Sequence, residues 1–386
     1  MEKLSATLRC QLLIEERKKN NQIVYNFGLG ANPLEPNKKY LHSISKFLNK
    51  NHYTSPFGIN SVQKTVKNLM FVENYEIDKV LFGNGLKEMI YVLQSVFDGI
   101  IVHITPAWVS YKGQMKILNK LSLLREFHTT FEEKYKINPF KFDDFLSEIK
   151  NKNEKILIIF NNPNNPTGVV YTENEIKELA KIIKKYNCTV LADEIYLNLS
   201  YTKDTCSIAK YIPNNVIRGS SLSKDIGCGG HRLGWLTFPK SLEDLMYKCN
   251  NYISSMFSCT TTPLQYGLVD FLYDKSEFNK ICLQTRKIFK GMIDNVCLLL
   301  EKTDIKYIKP KSAWYIFLDF ENYRSKLENI GIKNNNDLNN YLLNKGFISI
   351  DGNNFGHNTL SCRVSLVDLA EYENGIKYLI KLLEEL

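Results

Sequence analysis

An α/β fold is predicted for this chain: a large domain with a mostly parallel sheet sandwiched by helices, plus a smaller α+β domain. Three observations carry that prediction. Short apolar runs of strand length alternate with segments of helical period between residues 80 and 238. The turns after those runs concentrate glycine, asparagine, proline and charged or aromatic residues, as at the ligand-binding rim of an open parallel sheet. Beyond a long helical segment at 275–302 the pattern changes to a mixed set of strands and helices.

Taken in order, residues 1–25 read as a polar, partly helical arm with Leu4, Leu8, Leu12 and Ile14 as a short apolar stripe. The glycines and prolines of NFGLGANPLEP, 26–36, make a loop. Helical segments at Leu41–Leu48 and Ser61–Phe71 flank NHYTSPFG. A strand at Val80–Phe82 enters a Gly83–Gly85 turn, and LKEMIYVLQSVF from Leu86 has helical spacing. The strand Ile100–Thr105 leads into PAWVSY. The run KILIIF, Lys155–Phe160, is what a strand buried on both faces needs, and it opens into NNPNNPTG. A helix follows at Asn174–Tyr186, with Ile176, Leu179, Ala180, Ile182 and Ile183 on its apolar face. Strands are expected at Thr189–Tyr196, in NNVIRGSS and at Leu233–Phe238. The smaller domain opens near Tyr307, continues through helical DLNNYLLNKG and strands FISID and LSCRVSL, and closes on a helix at Leu369–Leu386. The expected division is 1–45 for the arm and part of the small domain, 46–285 for the large domain and 286–386 for the small one.

Composition narrows the function classes. An apolar share of 44% and a charged share of 24% are those of an ordinary globular protein, and 12% aromatics argues against disorder. The net charge of +9 is spread, mostly as lysine, with no basic block; that favours solubility and anionic small ligands over a nucleic-acid groove. The nine cysteines form no Cys-x-x-Cys pair, so free thiols are expected rather than a disulfide framework or a metal site. No apolar run has the length of a signal peptide core or a membrane span, and a cytoplasmic protein is expected.

The stretch GSSLSKDIGCGGHRLGW, 219–235, organises the chemistry. Lys224 supplies an amine that is nucleophilic once it loses its proton. Ser221 lies three residues before it and Arg232 eight after, and an arginine fork suits a phosphate. These residues read as a covalent anchor and phosphate grip for pyridoxal phosphate. The GNG turn at a helix start is a ready anion site.

NPTG at 165–168, Asp193-x-x-Tyr196, Ser221-x-x-Lys224 with Arg232, and Arg363-Val-Ser occur in one order along the chain. Together they resemble the class I/II aminotransferases, of the fold-type I pyridoxal-phosphate enzymes, from about Asn26 to the C-terminus. The resemblance implies Lys224 as the Schiff-base lysine and proton shuttle, and Asp193 as the acid that pairs with the cofactor's ring nitrogen. It implies that Tyr196 and Asn165 hydrogen-bond the phenolic oxygen and that Trp108 stacks on the ring. Gly85, Leu86, Lys87, Ser221 and Arg232 are then phosphate ligands, joined by Tyr53 reaching from a neighbouring subunit, with Thr260 able to do likewise. Arg363 grips the substrate's α-carboxylate, and Asn165 and Gly30 line its site. A homodimer with shared active sites is implied; nucleic-acid and membrane partners are not.

The chain departs from the family pattern in places. Its N-terminal loop reads GLGANPL where relatives have a shorter turn, so the sequence does not choose between Gly28 and Gly30 as the glycine facing substrate. Ser312 stands where glycine is usual, and His231 precedes Arg232 where an aromatic residue or arginine is common. Met256 and Leu86 occupy positions where dicarboxylate-specific relatives carry cations; both absences count against an aspartate-specific reading, which Lys87 beside the second keeps open. The function expected is transfer of an amino group from an L-amino acid to a 2-oxo acid by a ping-pong mechanism. The same motifs also serve β-eliminating C–S lyases and cyclopropane-forming synthases. A non-catalytic sensor is disfavoured, because too few residues precede Asn26 for a DNA-binding domain.

Overall fold

Strands and helices alternate through the computed structural model, which describes residues 6–150 and 154–386. Seven strands build the main sheet: β1 (Lys79–Gly83), β2 (Ile100–Thr105), β3 (Leu124–His128), β4 (Ile156–Asn161), β5 (Thr189–Asp193), β6 (Val216–Ser221) and β7 (Gly234–Phe238). They lie in the order β1-β7-β6-β5-β4-β2-β3. From β6 to β3 every pairing is parallel, and β7 alone is reversed, antiparallel to both β1 and β6.

The continuous apolar character of β4 follows from burial on both faces. Ile156, Ile158 and Phe160 enter one core with Val62 and Val66 of Asn60–Leu69, Phe142 and Leu146 of Pro139–Ile149, and Leu264, Leu268 and Phe271 of Thr262–Phe271. Leu157 and Ile159 enter the opposite core with Met89 and Leu93 of Leu86–Val96, Ile253 of Glu243–Met256, and Phe289 of Lys275–Leu300. The helix Glu173–Lys185 shows how local signals agree. Thr172 and Glu175 close a capping box at its start, and Ile176, Leu179, Ala180 and Ile183 are buried at helical spacing. Each fully buried aliphatic side chain of that face contributes roughly 1.5–3 kcal/mol.

A second, antiparallel sheet is built from β8 (Lys306–Tyr307), β9 (Tyr315–Asp319), β10 (Ile350–Asp351) and β11 (Ser361–Ser365), in the order β10-β11-β9-β8. Arg363, on β11, is held between Phe317 of β9 and Ile350 of β10. Near the N-terminus Tyr25–Asn26 pairs in parallel with Phe347–Ile348. The expected stripe on the first helix, Ala6–Lys19, is corrected: Cys10 and Ile14, one turn apart, are buried, whereas Leu8 and Leu12 are exposed. Cys10 and Ile14 pack in a cluster with Ile348 and Ile350, which selects that face; Leu4 lies outside the described residues. Among the described residues no helix is long and apolar enough to cross a membrane.

One buried ion pair stands directly behind the rim where β5 and β6 end. Glu194 Oε2 accepts from Arg218 Nη2 at 2.6 Å and from Arg218 Nε at 2.8 Å, and both side chains are nearly inaccessible. Arg218 also donates to the Met70 carbonyl. Removing the acid strands a buried guanidinium, so Glu194→Ala is expected to cost about 3–5 kcal/mol in denaturant unfolding. Glu178→Ala, which breaks an exposed pair with Lys181, should leave the midpoint in place.

Candidate active site

Because β1, β2, β4, β5 and β6 point the same way, the segments leaving their C-terminal ends meet along one edge of the sheet. A cavity of about 500 Å³ opens there, closed from the other side by Arg363 and Tyr315 of the second sheet. Its lining carries Lys87, Lys224, Arg232 and Arg363 against a single acid, Asp193. A site of that sign selects anions.

One wall is the turn after β1. Gly85 has φ +90°, and a Cβ there would lie 2.5 Å from Arg232 Nη2. Its own amide donates to the Gly83 carbonyl at 2.8 Å, so Gly85 contributes space rather than a donor. The free donors are the first-turn amides of Leu86 and Lys87, which have no carbonyl of their own helix to bond. Gly234 presses against the same turn, where a Cβ would come within 2.2 Å of the Leu86 nitrogen. Arg232 adopts a left-handed backbone, φ 56°, and its guanidinium is held by the carbonyls of Gly229 and Asn84, each at 2.7 Å. Ser221, at the end of β6, is buried, and its hydroxyl accepts the Ser223 amide. Two amides, a hydroxyl and a guanidinium without an acidic partner among the described residues fit a phosphate.

The floor is Asp193 at the end of β5. Burial pushes its carboxyl up to about 6, opposed by hydrogen bonds from the Tyr111 hydroxyl and the Ile195 amide and by the charge of Lys224. Tyr111 Oη donates to Asp193 Oδ2 at 2.5 Å. Tyr111 sits one helical turn after Trp108, and the two rings meet edge to face at 5.4 Å. Trp108 is half-buried against the cavity, with the Lys87 ammonium 5.1 Å from its ring centre.

Lys224 faces Asp193's side of the cavity. Enclosure of its amine pulls the pKa down to about 7, helped by the positive charges of Arg363, Lys87 and Arg232 and opposed by Asp193. The amine donates to the Gly30 carbonyl, and Asn32 Nδ2 holds the Lys224 carbonyl at 2.8 Å. The N-terminal loop register is therefore resolved: Gly30 lines the cavity, whereas a Cβ at Gly28 would strike Cys10. Tyr196 is buried with its hydroxyl 2.7 Å from that of Tyr315. Asn165 is fixed by its amide's bond to Asn161 Oδ1 at 2.8 Å. Its side-chain oxygen accepts from Arg363 Nη1 at 3.2 Å, which leaves its NH₂ group to donate. Arg363 is buried, spends Nη2 on the Gly28 carbonyl at 2.6 Å, and keeps Nε without a partner. A buried guanidinium with no acid beside it among the described residues fits a carboxylate.

Sequence reasoning thus anticipated most of the lining, and some assigned residues lie elsewhere. Tyr53 is 86% exposed and stands outside this cavity. Thr260 is buried, with its hydroxyl 3.4 Å from the Gly83 carbonyl. Met256 is half-exposed outside the cavity, and His231 stacks on Tyr40. Tyr111 and Tyr315 were missed. Tyr111 closes the quoted PAWVSY and Tyr315 lies three residues after Ser312, but their role depends on contacts with residues far along the chain.

Comparison with known proteins places this geometry. The family model for aminotransferase class I and II matches residues 22–379. The aspartate aminotransferase of Bacillus subtilis is 27% identical over 368 residues, 91% of this chain and 89% of that protein. The probable aspartate/prephenate aminotransferase of Aquifex aeolicus is 25% identical, with 100% and 97% covered. Among solved structures, Thermus thermophilus aspartate aminotransferase with maleate superposes with a TM-score of 0.86 at 18% identity, covering 99% of this chain and 97% of that one, a likeness of fold. A match that runs from just before the Gly30 loop to past Arg363 spans every charged residue of the cavity, and this chain belongs to the aminotransferase class I and II family of pyridoxal-phosphate-dependent enzymes.

Proposed function

We propose that this aminotransferase acts on an acidic L-amino acid and a 2-oxo acid, with the cavity residues in the following roles. The observation that carries the reading is the buried guanidinium of Arg363, with no acidic partner among the described residues, lining one cavity with the enclosed amine of Lys224. When bound, pyridoxal phosphate supplies a sink for the electron pair left on the substrate's α-carbon. Lys224 anchors the cofactor and, once displaced, carries the proton between that carbon and the cofactor's C4′. Asp193, ionised at neutral pH and oriented by Tyr111, holds the proton on the ring nitrogen. Tyr196 and the Asn165 NH₂ group donate to the phenolic oxygen, and Trp108 covers one face of the ring. Ser221, Arg232 and the amides of Leu86 and Lys87 hold the phosphate. Arg363 binds the α-carboxylate and so orients the bond to be broken.

The choice of an acidic substrate rests on Lys87. Its ammonium lines the cavity and has no acidic partner among the described residues; burial and Arg232 both lower its pKa. A distal carboxylate would relieve that strain on its charge, and the relatives named above as aspartate aminotransferases support the choice. We further propose a homodimer, in which the exposed Tyr53 reaches the partner's phosphate site.

Three outcomes are expected. The rate at which the protein, freed of cofactor, captures pyridoxal phosphate should rise through about pH 7 and then level off, because the neutral amine reacts and half of it is neutral at its pKa. An ordinary lysine would keep accelerating to about pH 10; stopped-flow absorbance distinguishes the two, and Lys224→Ala should show neither capture nor turnover. In half-reactions L-aspartate or L-glutamate should outpace L-alanine. Lys87→Gln should raise KM for the acidic substrate roughly 10- to 100-fold, the worth of a charge-assisted hydrogen bond, with little change for alanine. Light scattering should give twice the chain mass, and mixing inactive Lys224→Ala with weakened Tyr53→Phe should yield heterodimers with one intact site.

A further inference from the structure

Two hydroxyls in the cavity have just enough protons for the two bonds between them and their neighbours, which fixes the direction of each. Tyr315 Oη is 3.1 Å from the Gly30 carbonyl and 2.7 Å from Tyr196 Oη. A carbonyl only accepts, so the single proton of Tyr315 is spent on Gly30. Tyr196 must then donate to Tyr315, and its own proton points away from the space a cofactor ring would fill. Neither hydroxyl is ionised near neutrality, since burial raises both pKa values. The Gly30 carbonyl has a second donor, the Lys224 amine, which leaves it when that amine becomes the covalent anchor. Tyr315 is otherwise fixed: its ring lies 4.8 Å beneath the Arg363 guanidinium and meets the Tyr196 ring edge to face at 5.5 Å.

We propose that Tyr315 is a positioning residue that acts through Tyr196: on loading, its hydroxyl turns from the Gly30 carbonyl to donate to Tyr196, which aims the Tyr196 proton at the cofactor's phenolic oxygen. The inference rests on the reading of Tyr196 as the phenolic-oxygen donor. Two hydrogen bonds in series polarise one another, so the outer hydroxyl strengthens the inner donation. The same reversal removes both donors from Gly30 O, which couples cofactor loading to the loop at the cavity mouth. The relay changes no covalent bond: the Tyr196–Tyr315 hydrogen bond reverses, that from Tyr315 to the Gly30 carbonyl breaks, and one from Tyr196 to the phenolic oxygen forms.

Tyr315→Phe removes the hydroxyl and keeps the ring under Arg363. The measurement is the pH titration of the loaded enzyme's visible absorbance, alongside pyridoxal phosphate affinity by fluorescence and thermal unfolding as a check on folding. Tyr196→Phe should raise the spectral pKa, because a donor that stabilises the phenolate is lost. Tyr315→Phe should raise it by about 0.5–1 unit, the worth of one net hydrogen bond. The double variant should titrate like Tyr196→Phe alone, since the outer hydroxyl reaches the ring only through the inner one. A Tyr315→Phe titration at the wild-type pKa, or a shift that adds fully to that of Tyr196→Phe, overturns the relay. An unmoved pKa in Tyr196→Phe itself overturns the underlying assignment of Tyr196 and the relay with it. If Tyr315→Phe does not fold, Tyr315→Met with the same readout takes its place.

Discussion

Everything at this site depends on keeping one amine uncharged in a place where charge is expensive. Lys224 is enclosed, and the cations around it, Arg363, Lys87 and Arg232, disfavour its proton. The same cations are what an anionic cofactor and an anionic substrate need. One cluster of positive charge therefore does two things: it collects the reactants and it keeps the lysine reactive towards them. Asp193 is the counterweight. Its depth in the cavity raises its pKa, and the Tyr111 hydroxyl and Ile195 amide hold it ionised at neutral pH. Loss of that acid would leave three cations, Lys87, Arg232 and Arg363, around the Lys224 amine with no opposing charge among the lining residues.

The fold supplies this arrangement through strand direction. Parallel pairing sends the ends of β2, β4, β5 and β6 to one edge, so residues from Trp108 to Lys224 converge although they are far apart in sequence. The second sheet contributes Arg363 and Tyr315 to the cavity, which sit on adjacent antiparallel strands. The rigid core behind the rim, including the Arg218–Glu194 pair, fixes where β5 and β6 stop.

Much of this could be read from the chain. The strand Ile100–Thr105 has the limits its apolar run announced, and KILIIF lies within one residue of β4. The residues of the rim could be named because they are chemically distinctive and sit in turns. What escaped reading has physical reasons. β3 is an edge strand whose residues Arg125, Glu126 and His128 are polar, so it lacked the apolar signature. Helices Pro139–Ile149, Glu243–Met256 and Thr262–Phe271 went unassigned, though the first carries an Asn138 cap and a proline in its first turn. On the first helix Ile14 is buried as expected, but leucine content outweighed position for Leu8 and Leu12, and Cys10 shares the buried face instead. Tyr111 and Tyr315 matter through Asp193 and Tyr196, residues 82 and 119 positions distant, and no local pattern reports such contacts.

The reversal of β7 has a consequence for how this chain can vary. Ser221 and Gly234 are paired across β6 and β7, so the excursion between them leaves the sheet and returns at a single gate. Lys224 and Arg232, proposed above as anchor and phosphate grip, both ride on that closed ring. Its circumference is set by hydrogen-bonded ends that cannot slide without inverting both strands. Within the ring Leu222, Ile226 and Cys228 are buried and Gly227 has a left-handed backbone, so kind is constrained there, and an added or missing residue would part Lys224 from Arg232. Length and letter are therefore both held there, the opposite of what is usual for a surface connection.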